Sequence, residues 1–165
     1  MVLSVYLDSF AYVKQFSREK GSEVIEKIFD ACESKRLIII TSQWTIGESL
    51  AAIDRKFRIG EINDQEKEIG MSTLLENIAD LSGKNLLTLI PTKPEFVSTS
   101  WRFVTERHLS AGDALQLFCA TVGLSHILVA ADDFLLSAAR SEGFETYNIE
   151  RDAEAKDLLN RLKQP

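Results

Sequence analysis

Asp8, Glu48, Asp113 and Asp132 lie far apart in the chain, yet each falls where an apolar run ends or where a helix-patterned run begins or continues. In an open parallel sheet the carboxyl ends of the strands share one crevice, and acids remote in sequence meet there. Carboxylates held together repel one another, and a divalent cation bound by their oxygens removes the conflict. The chemistry this pattern points to is a metal site. Taken singly, the same acids have plain roles. Asp8 and Asp132 each follow a strand-like run and precede a helix, the place of an N-cap, and Asp133 stands beside Asp132 as a second candidate. Glu48 sits among Gly47, Ser49, Ala51 and Ala52, a small-residue surface that a ligand can approach closely, although a solvated helical Glu is the simpler reading. Asp113 opens a strongly apolar helix and so stands at the mouth of a core.

The elements that must carry these acids alternate strand with helix. Val2 to Leu7 is nearly all apolar, as a strand buried on both faces must be, and Asp8 follows it at once. Ser9 to Phe16 is read as a helix, and a second helix opens at Gly21-Ser22 with Val24, Ile25, Ile28 and Phe29 at helical spacing. Leu37 to Thr41 is the second strand, and Ser42 caps a helix that reaches Glu48 about two turns on. A long charged helix over 63–83 shows Ile69, Leu74, Leu75 and Ile78. Leu86 to Ile90 is the third strand, and Pro94 opens the next helix. Ser110 then caps a helix beginning at the Ala111-Gly112-Asp113 turn, whose continuation to Val122 is apolar nearly all round. Ile127 to Ala131 is the fourth strand, Phe134 to Ser141 a helix, Phe144 to Ile149 a fifth strand, and Asp152 to Leu162 a polar final helix. Strand–helix alternation calls for a parallel sheet with helices on both faces and right-handed crossovers, an α/β/α layer sandwich.

At 165 residues, 45% of them hydrophobic, the chain suffices for one domain with a substantial core. The formal net charge of -6 excludes a protein that coats nucleic acid through bulk positive charge, although a local basic stripe would still hold a phosphate backbone. No apolar run approaches the ~20 residues that span a bilayer, and Met1 to Phe10 lacks a basic leader, so no membrane role and a cytoplasmic location are expected. Cys32 and Cys119 have no ligand spacing and are expected to be buried thiols.

Four segments in this order resemble the PIN-domain family, and within it the small VapC-type toxin ribonucleases. They are Tyr6-Leu7-Asp8-Ser9 with Ala11-Tyr12-Val13-Lys14; Ser42 with Glu48; Leu109 to Leu115; and Leu128-Val129-Ala130-Ala131-Asp132 with Leu135-Leu136 and Ala138-Ala139. The resemblance implies a PIN-like nuclease domain over residues 1–150, with 151–165 as a helical tail of the same domain that serves an interface or a subfamily function. It implies a parallel sheet of four or five strands in the order 3-2-1-4-5, and a pocket that binds magnesium or manganese and cuts single-stranded or structured RNA. Asp8, Glu48, Asp113 and Asp132 fall on the family's acidic positions, and Ser9 on its small hydroxyl position. Ala130 departs from it, since many members carry Thr or Ser two residues before the last acid.

Phosphodiester hydrolysis needs an activated water, charge neutralisation and a stabilised leaving oxygen, all within the reach of bound metal. Asp8, Asp113 and Asp132 are assigned to metal, directly or through water, and Glu48 to a second ion or to orienting the water. His108 ends a helix and His126 begins a strand, so both read as structural rather than as a general base. Water attack then leaves a 5'-phosphate and a 3'-hydroxyl. Lys14, Arg18, Arg55, Lys56, Arg58, Arg102 and Arg107 are the candidates for phosphate contact, and Tyr12 or Phe57 for stacking a base. A VapB-type antitoxin covering the pocket and a homodimer closed by Ile69, Leu74, Leu75 and Ile78, or by the tail helix, are the expected partners. A stand-alone RNA-processing nuclease and a catalytically inactive PIN-fold module are the alternatives. A haloacid-dehalogenase-like phosphatase would need Asp where Phe10 stands, and a phospho-acceptor receiver would need Asp and Lys where Ile90-Pro91 and Glu150 stand.

Overall fold

The computed structural model describes residues 2–163; Met1 of the expected nuclease domain and Gln164 and Pro165 of the expected tail lie outside the described residues. In chain order the elements are β1 (Leu3–Leu7), α1 (Ser9–Val13), α2 (Ser22–Glu33), β2 (Leu37–Ser42), α3 (Gln43–Arg58), α4 (Asp64–Gly83) and β3 (Leu87–Ile90). They continue with α5 (Pro94–Arg107), α6 (Ala111–Val122), β4 (Ile127–Ala130), α7 (Asp133–Ser141), β5 (Glu145–Asn148) and α8 (Asp152–Arg161). The strands make one five-stranded sheet in the order β3-β2-β1-β4-β5, every pair parallel. This is the PIN-like order that the resemblance implied.

Alternation along the strands splits the interior into two layers. Val5, Leu7, Ile39, Ile127 and Val129 face one layer, filled by α1 to α4 and α8. Tyr6, Ile40, Leu128 and Ala130 face the other, filled by α5, α6 and α7. Because both faces are covered, the central strands carry apolar residues at consecutive positions rather than at alternate ones.

Three expectations need correction. The first helix stops at Val13, not Phe16: the chain tightens into short-range bonds from Gln15 N to Tyr12 O (3.2 Å) and from Phe16 N to Val13 O (2.9 Å). Lys14, buried at 3% exposure, bridges Glu19 (3.3 Å) and Glu150 (2.9 Å) just there, a tertiary pairing no local pattern announces. Second, Leu74 and Ile78 are spent in the chain's own core, so only Ile69 and Leu75 of the four apolar α4 residues remain outside. Third, the tail is part of the core, since α8 buries Leu158 completely and Leu162 nearly so. Among the described residues no helix is long and apolar enough to cross a membrane.

Candidate active site

β1 and β4 are neighbours in space but not in sequence, and the direction of the crossovers reverses at this pair. A crevice opens beyond their carboxyl ends, where ligands of open α/β sheets bind. Asp8 and Asp132 are the residues that leave those two strands, and Asp8 N donates to Val129 O (3.2 Å), tying one exit to the other. α6 runs back against the strands before β4, which returns its first turn, and Asp113, to the same edge. α3 leaves β2 on the other side of β1 and carries Glu48 towards them.

Each of the three aspartates is held by one oxygen. Asp8 caps α1, its Oδ1 accepting from Ala11 N at 2.7 Å. Asp132 caps α7, its Oδ1 accepting from Phe134 N (2.7 Å) and Leu135 N (3.0 Å). Asp113 Oδ2 accepts from the Ser110 hydroxyl at 2.7 Å, while Ser110 Oγ accepts from Asp113 N at 3.1 Å. Glu48 Oε2 accepts from Gln116 Nε2 at 2.7 Å. The cap and the ligand therefore need not be alternatives: the fold takes one oxygen of each aspartate, and the companion oxygen accepts no hydrogen bond from the described residues.

The electrostatics agree with a shared pocket. Asp8 is 2% exposed, and burial, reinforced by the charges of Asp113, Glu48 and Asp132, pushes its carboxyl up to about 7 against the pull of the Ala11 N–H. Burial likewise raises Glu48, with Asp113 adding to it, while the Trp44 indole and Ser9 hydroxyl act in the opposite sense. Asp113 is raised by burial and by Asp132, against the Ser110 hydrogen bond. Three acids disfavoured as anions at one place are a site short of positive charge. Gly112 leaves room for this approach, because a Cβ there would fall 2.8 Å from Glu48 Oε1 and 3.2 Å from Trp44 Nε1.

A donor set of hard carboxylate oxygens suits Mg2+ or Mn2+ rather than a thiophilic ion. As the side chains stand, no group of three or more His, Cys, Asp or Glu among the described residues converges to hold an ion directly. Asp133 is drawn away into bonds from Asn148 Nδ2 (3.0 Å) and from Arg151, so it does not stand in for Asp132. His126 accepts from Ser4 N at Nδ1 (3.2 Å), and His108 ends α5 in the left-handed region (φ 57°), structural places for both.

A cleft of about 610 Å³ leads away from Ser9 and Glu48 along α3, past Ala52 and Arg55 to Arg58, with Phe10 in its wall. Of the expected phosphate-binding cations, Lys14 is removed by its burial between two glutamates. Lys56 pairs with Glu19 (3.0 Å), Arg58 with Asp54 (2.8 Å), and Arg102 and Arg107 with Glu142 (3.6 and 2.7 Å). Arg18 and Arg55 enter no ion pair among the described residues, and Arg55 lines the cleft one to two turns from Glu48.

The expected stacking residues are also corrected. Tyr12 is fully buried, its hydroxyl donating to Asn77 Oδ1 (3.0 Å), and the Lys67 ammonium covers Phe57 at 4.3 Å from the ring centre. The exposed rings are Phe10, Trp44, Trp101 and Phe134, of which Phe10, Trp44 and Phe134 lie close to site acids in the chain. A sequence signal for them existed: Phe10 and Phe134 each stand two residues after a site aspartate, and Trp44 one helical turn before Glu48. Gln116 was missed because its meaning depends on the packing of α6 against α3, not on spacing.

Neither family models nor curated proteins yield a match to this chain. Solved structures do. PAE2754 from Pyrobaculum aerophilum is similar at a TM-score of 0.63 and 17% identity, over 99% of this chain and 97% of that one. FitAcB from Neisseria gonorrhoeae is similar at 0.61 and 14%, over 88% and 97%. VapC20 of Mycobacterium tuberculosis, a toxin that cleaves the sarcin–ricin loop, is similar at 0.58 and 14%, over 85% and 95%. At such identities the likeness is one of fold.

Proposed function

We propose that this chain is a Mg2+- or Mn2+-dependent endoribonuclease, the toxin of a toxin–antitoxin pair, acting on unpaired or structured RNA in the cytoplasm. The observation that carries the reading is Asp8, buried and pushed up to about 7 by burial and by the charges of Asp113, Glu48 and Asp132, acids supplied by three other segments. Such a pocket gains from a cation, and the free oxygens of the three aspartates are donors for it. Mg2+ keeps several of its waters, which suits acids that do not close into a cage. When bound, the ion supplies charge neutralisation and an acidified water. Asp8, Asp113 and Asp132 would hold it, directly or through water, and Glu48 would take a second ion or orient the attacking water.

Arg55 in the cleft wall holds an adjoining phosphate, which positions the strand without reading sequence. Phe10, Trp44 and Phe134, each exposed and within four residues of a site acid in the chain, offer faces on which splayed bases would stack. The likeness in fold to VapC20, a ribosomal-loop-cleaving toxin, supports the choice of RNA. A VapB-type antitoxin would cover this mouth, and an Arg from it would pair with the carboxylates. A homodimer would use the outer face of α4, where Ile69 and Leu75 stand exposed.

The test is cleavage of labelled single-stranded and hairpin RNA with Mg2+, with Mn2+ and with chelator. Cleavage that stops with chelator, returns with metal and leaves 5'-phosphate and 3'-hydroxyl ends is expected. Activity surviving complete metal removal, or a 3'-phosphate product, overturns the mechanism.

A further inference from the structure

We infer that Gln116 is a positioning residue for Glu48: its buried amide gives its N–H side to the carboxylate and its carbonyl to a chain of hydroxyls in the core. The inference rests on the metal-site reading above and deepens it.

Gln116 lies on α6 one turn after Asp113 and is 2% exposed, an expensive place for an amide without partners. Its Nε2 donates to Glu48 Oε2 at 2.7 Å, the short distance of a charge-assisted bond. Its Oε1 accepts from the Thr45 hydroxyl at 3.3 Å. The hydroxyl proton of Thr45 is thereby used, and Thr45 Oγ1 in turn lies 2.9 Å from Ser42 Oγ and 3.0 Å from the Tyr6 hydroxyl. Tyr6 is fully buried and also donates to Ser42 Oγ at 3.3 Å. A continuous run of donation from Tyr6 to Ser42, Ser42 to Thr45, Thr45 to Gln116 and Gln116 to Glu48 leaves each of these groups with a partner.

A flipped amide would set its carbonyl against the carboxylate, acceptor against acceptor, so it is Glu48 that turns the N–H side towards itself and leaves the carbonyl for the Thr45 hydroxyl. The consequence is geometric. With Oε2 held by Gln116, Oε1 is the oxygen that stands over Gly112, at the first turn of the helix that carries Asp113. Glu48 reaches the pocket from α3, and Gln116 of α6 holds it beside the Trp44 indole and the Ser9 hydroxyl before any ion arrives. No other acid of the site depends on a side-chain amide; the aspartates are held by backbone N–H groups or by Ser110.

The experiment is Mn2+ binding by calorimetry, with RNA cleavage alongside, for wild type, Gln116→Met, Gln116→His, Glu48→Gln and the double variant Glu48→Gln/Gln116→Met. Gln116→Met keeps the volume and removes both hydrogen bonds. It is expected to weaken Mn2+ binding by about tenfold or more, the usual loss when a group that orients a metal ligand is removed. Gln116→His, which retains an N–H, should recover part of the affinity, and it keeps the idea testable if the Met variant does not fold. In the Glu48→Gln background the Met change should alter Mn2+ affinity by less than about twofold, because the residue acts through Glu48. A purely structural role would instead lower affinity by the same factor in both backgrounds, and that result overturns the assignment. Wild-type affinity in Gln116→Met, with wild type itself binding Mn2+, also overturns it and leaves the nuclease reading standing. A wild type that binds no Mn2+ and cuts no RNA overturns both.

Discussion

A carboxylate that the fold makes uncomfortable is either a fault or a tool, and Asp8 allows the two to be told apart. Its carboxyl, normally titrating near ~4, is held up to about 7. Because the folded value is the raised one, the folded state keeps a proton that the unfolded chain has lost between those limits. Stability of the metal-free protein therefore falls as pH rises from about 4 through about 7. Asp8→Asn removes the effect while preserving a capping side chain. Metal-free Asp8→Asn is expected to be at least as stable as wild type at pH 8, its advantage growing by roughly 1–2 kcal/mol between pH 5.5 and 8, as read by denaturant unfolding at both pH values. Asp113→Asn should act likewise, since burial and Asp132 also disfavour its charge. In both variants cleavage should fall by orders of magnitude, and added Mg2+ should stabilise wild type more than variant. A loss of apo stability with full cleavage would make these residues caps and nothing else. What the sequence makes legible is position: Asp8, Asp113 and Asp132 stand after strands or at a helix start, whereas Glu48 lies inside α3 and carries no such signal of its own. Their partners are not legible: Lys14 and Tyr12 carry functional-looking side chains that tertiary packing hides, and exposure is not written in a residue's type.

Among the elements, α6 decides how closely α3 can approach. Its opening is a well-specified helix start, with Ser110 capping Asp113 N, and this much was read from Ser110-Ala111-Gly112-Asp113 alone. That the glycine faces Glu48 could not be read, because it depends on which side of α6 meets α3. Gly112→Ala sets a Cβ 2.8 Å from Glu48 Oε1, the movable end of a flexible side chain, in a helix where Ala is favoured over Gly. Metal-free stability should accordingly stay within about 1 kcal/mol of wild type or rise, while RNA cleavage and Mn2+ affinity drop by tenfold or more. Thermal melts beside activity and metal titrations check the pair of outcomes; a variant that melts like wild type and cuts like wild type would show that Glu48 need not sit over this turn. The shortened α1 belongs to the same scale. Phe10, Tyr12, Val13 and Phe16 have helical spacing, but the buried Lys14 bridge turns the chain before the pattern is complete.

Across the whole molecule, a parallel sheet with helices on both faces followed from strand–helix alternation and the strand order from the resemblance to PIN domains, and the outer boundary of the core followed from neither. The thin apolar stripe Leu158, Leu159 and Leu162 in a polar helix suits an interface with another chain as well as it suits the chain's own sheet. The folded chain chooses the second. α8 lays fully buried Leu158 against the layer that holds α2 and β1, Arg161 pairs with Glu145 of β5 at 3.0 Å, and Lys14 reaches Glu150 from the far end of the sequence. Of the two surfaces expected for self-association, the one left outside is the face of α4 bearing Ile69 and Leu75, 55% and 49% exposed. Two substitutions separate these surfaces. Leu158→Ala empties a filled site and should cost about 2–4 kcal/mol in a single cooperative transition, with cleavage per folded molecule unchanged because the acids are carried by other elements. Ile69→Asp removes apolar surface without touching the core, so it should leave the unfolding midpoint of dilute protein nearly unchanged while shifting the mass in solution from dimer to monomer. Light scattering across a range of concentrations, beside denaturant titrations of both variants, reads all of these outcomes. A wild type that stays monomeric at high concentration, or an Ile69→Asp dimer, would place any self-association elsewhere; a Leu158→Ala chain that unfolds like wild type would mean that α8 only rests on the sheet and adds nothing to its stability.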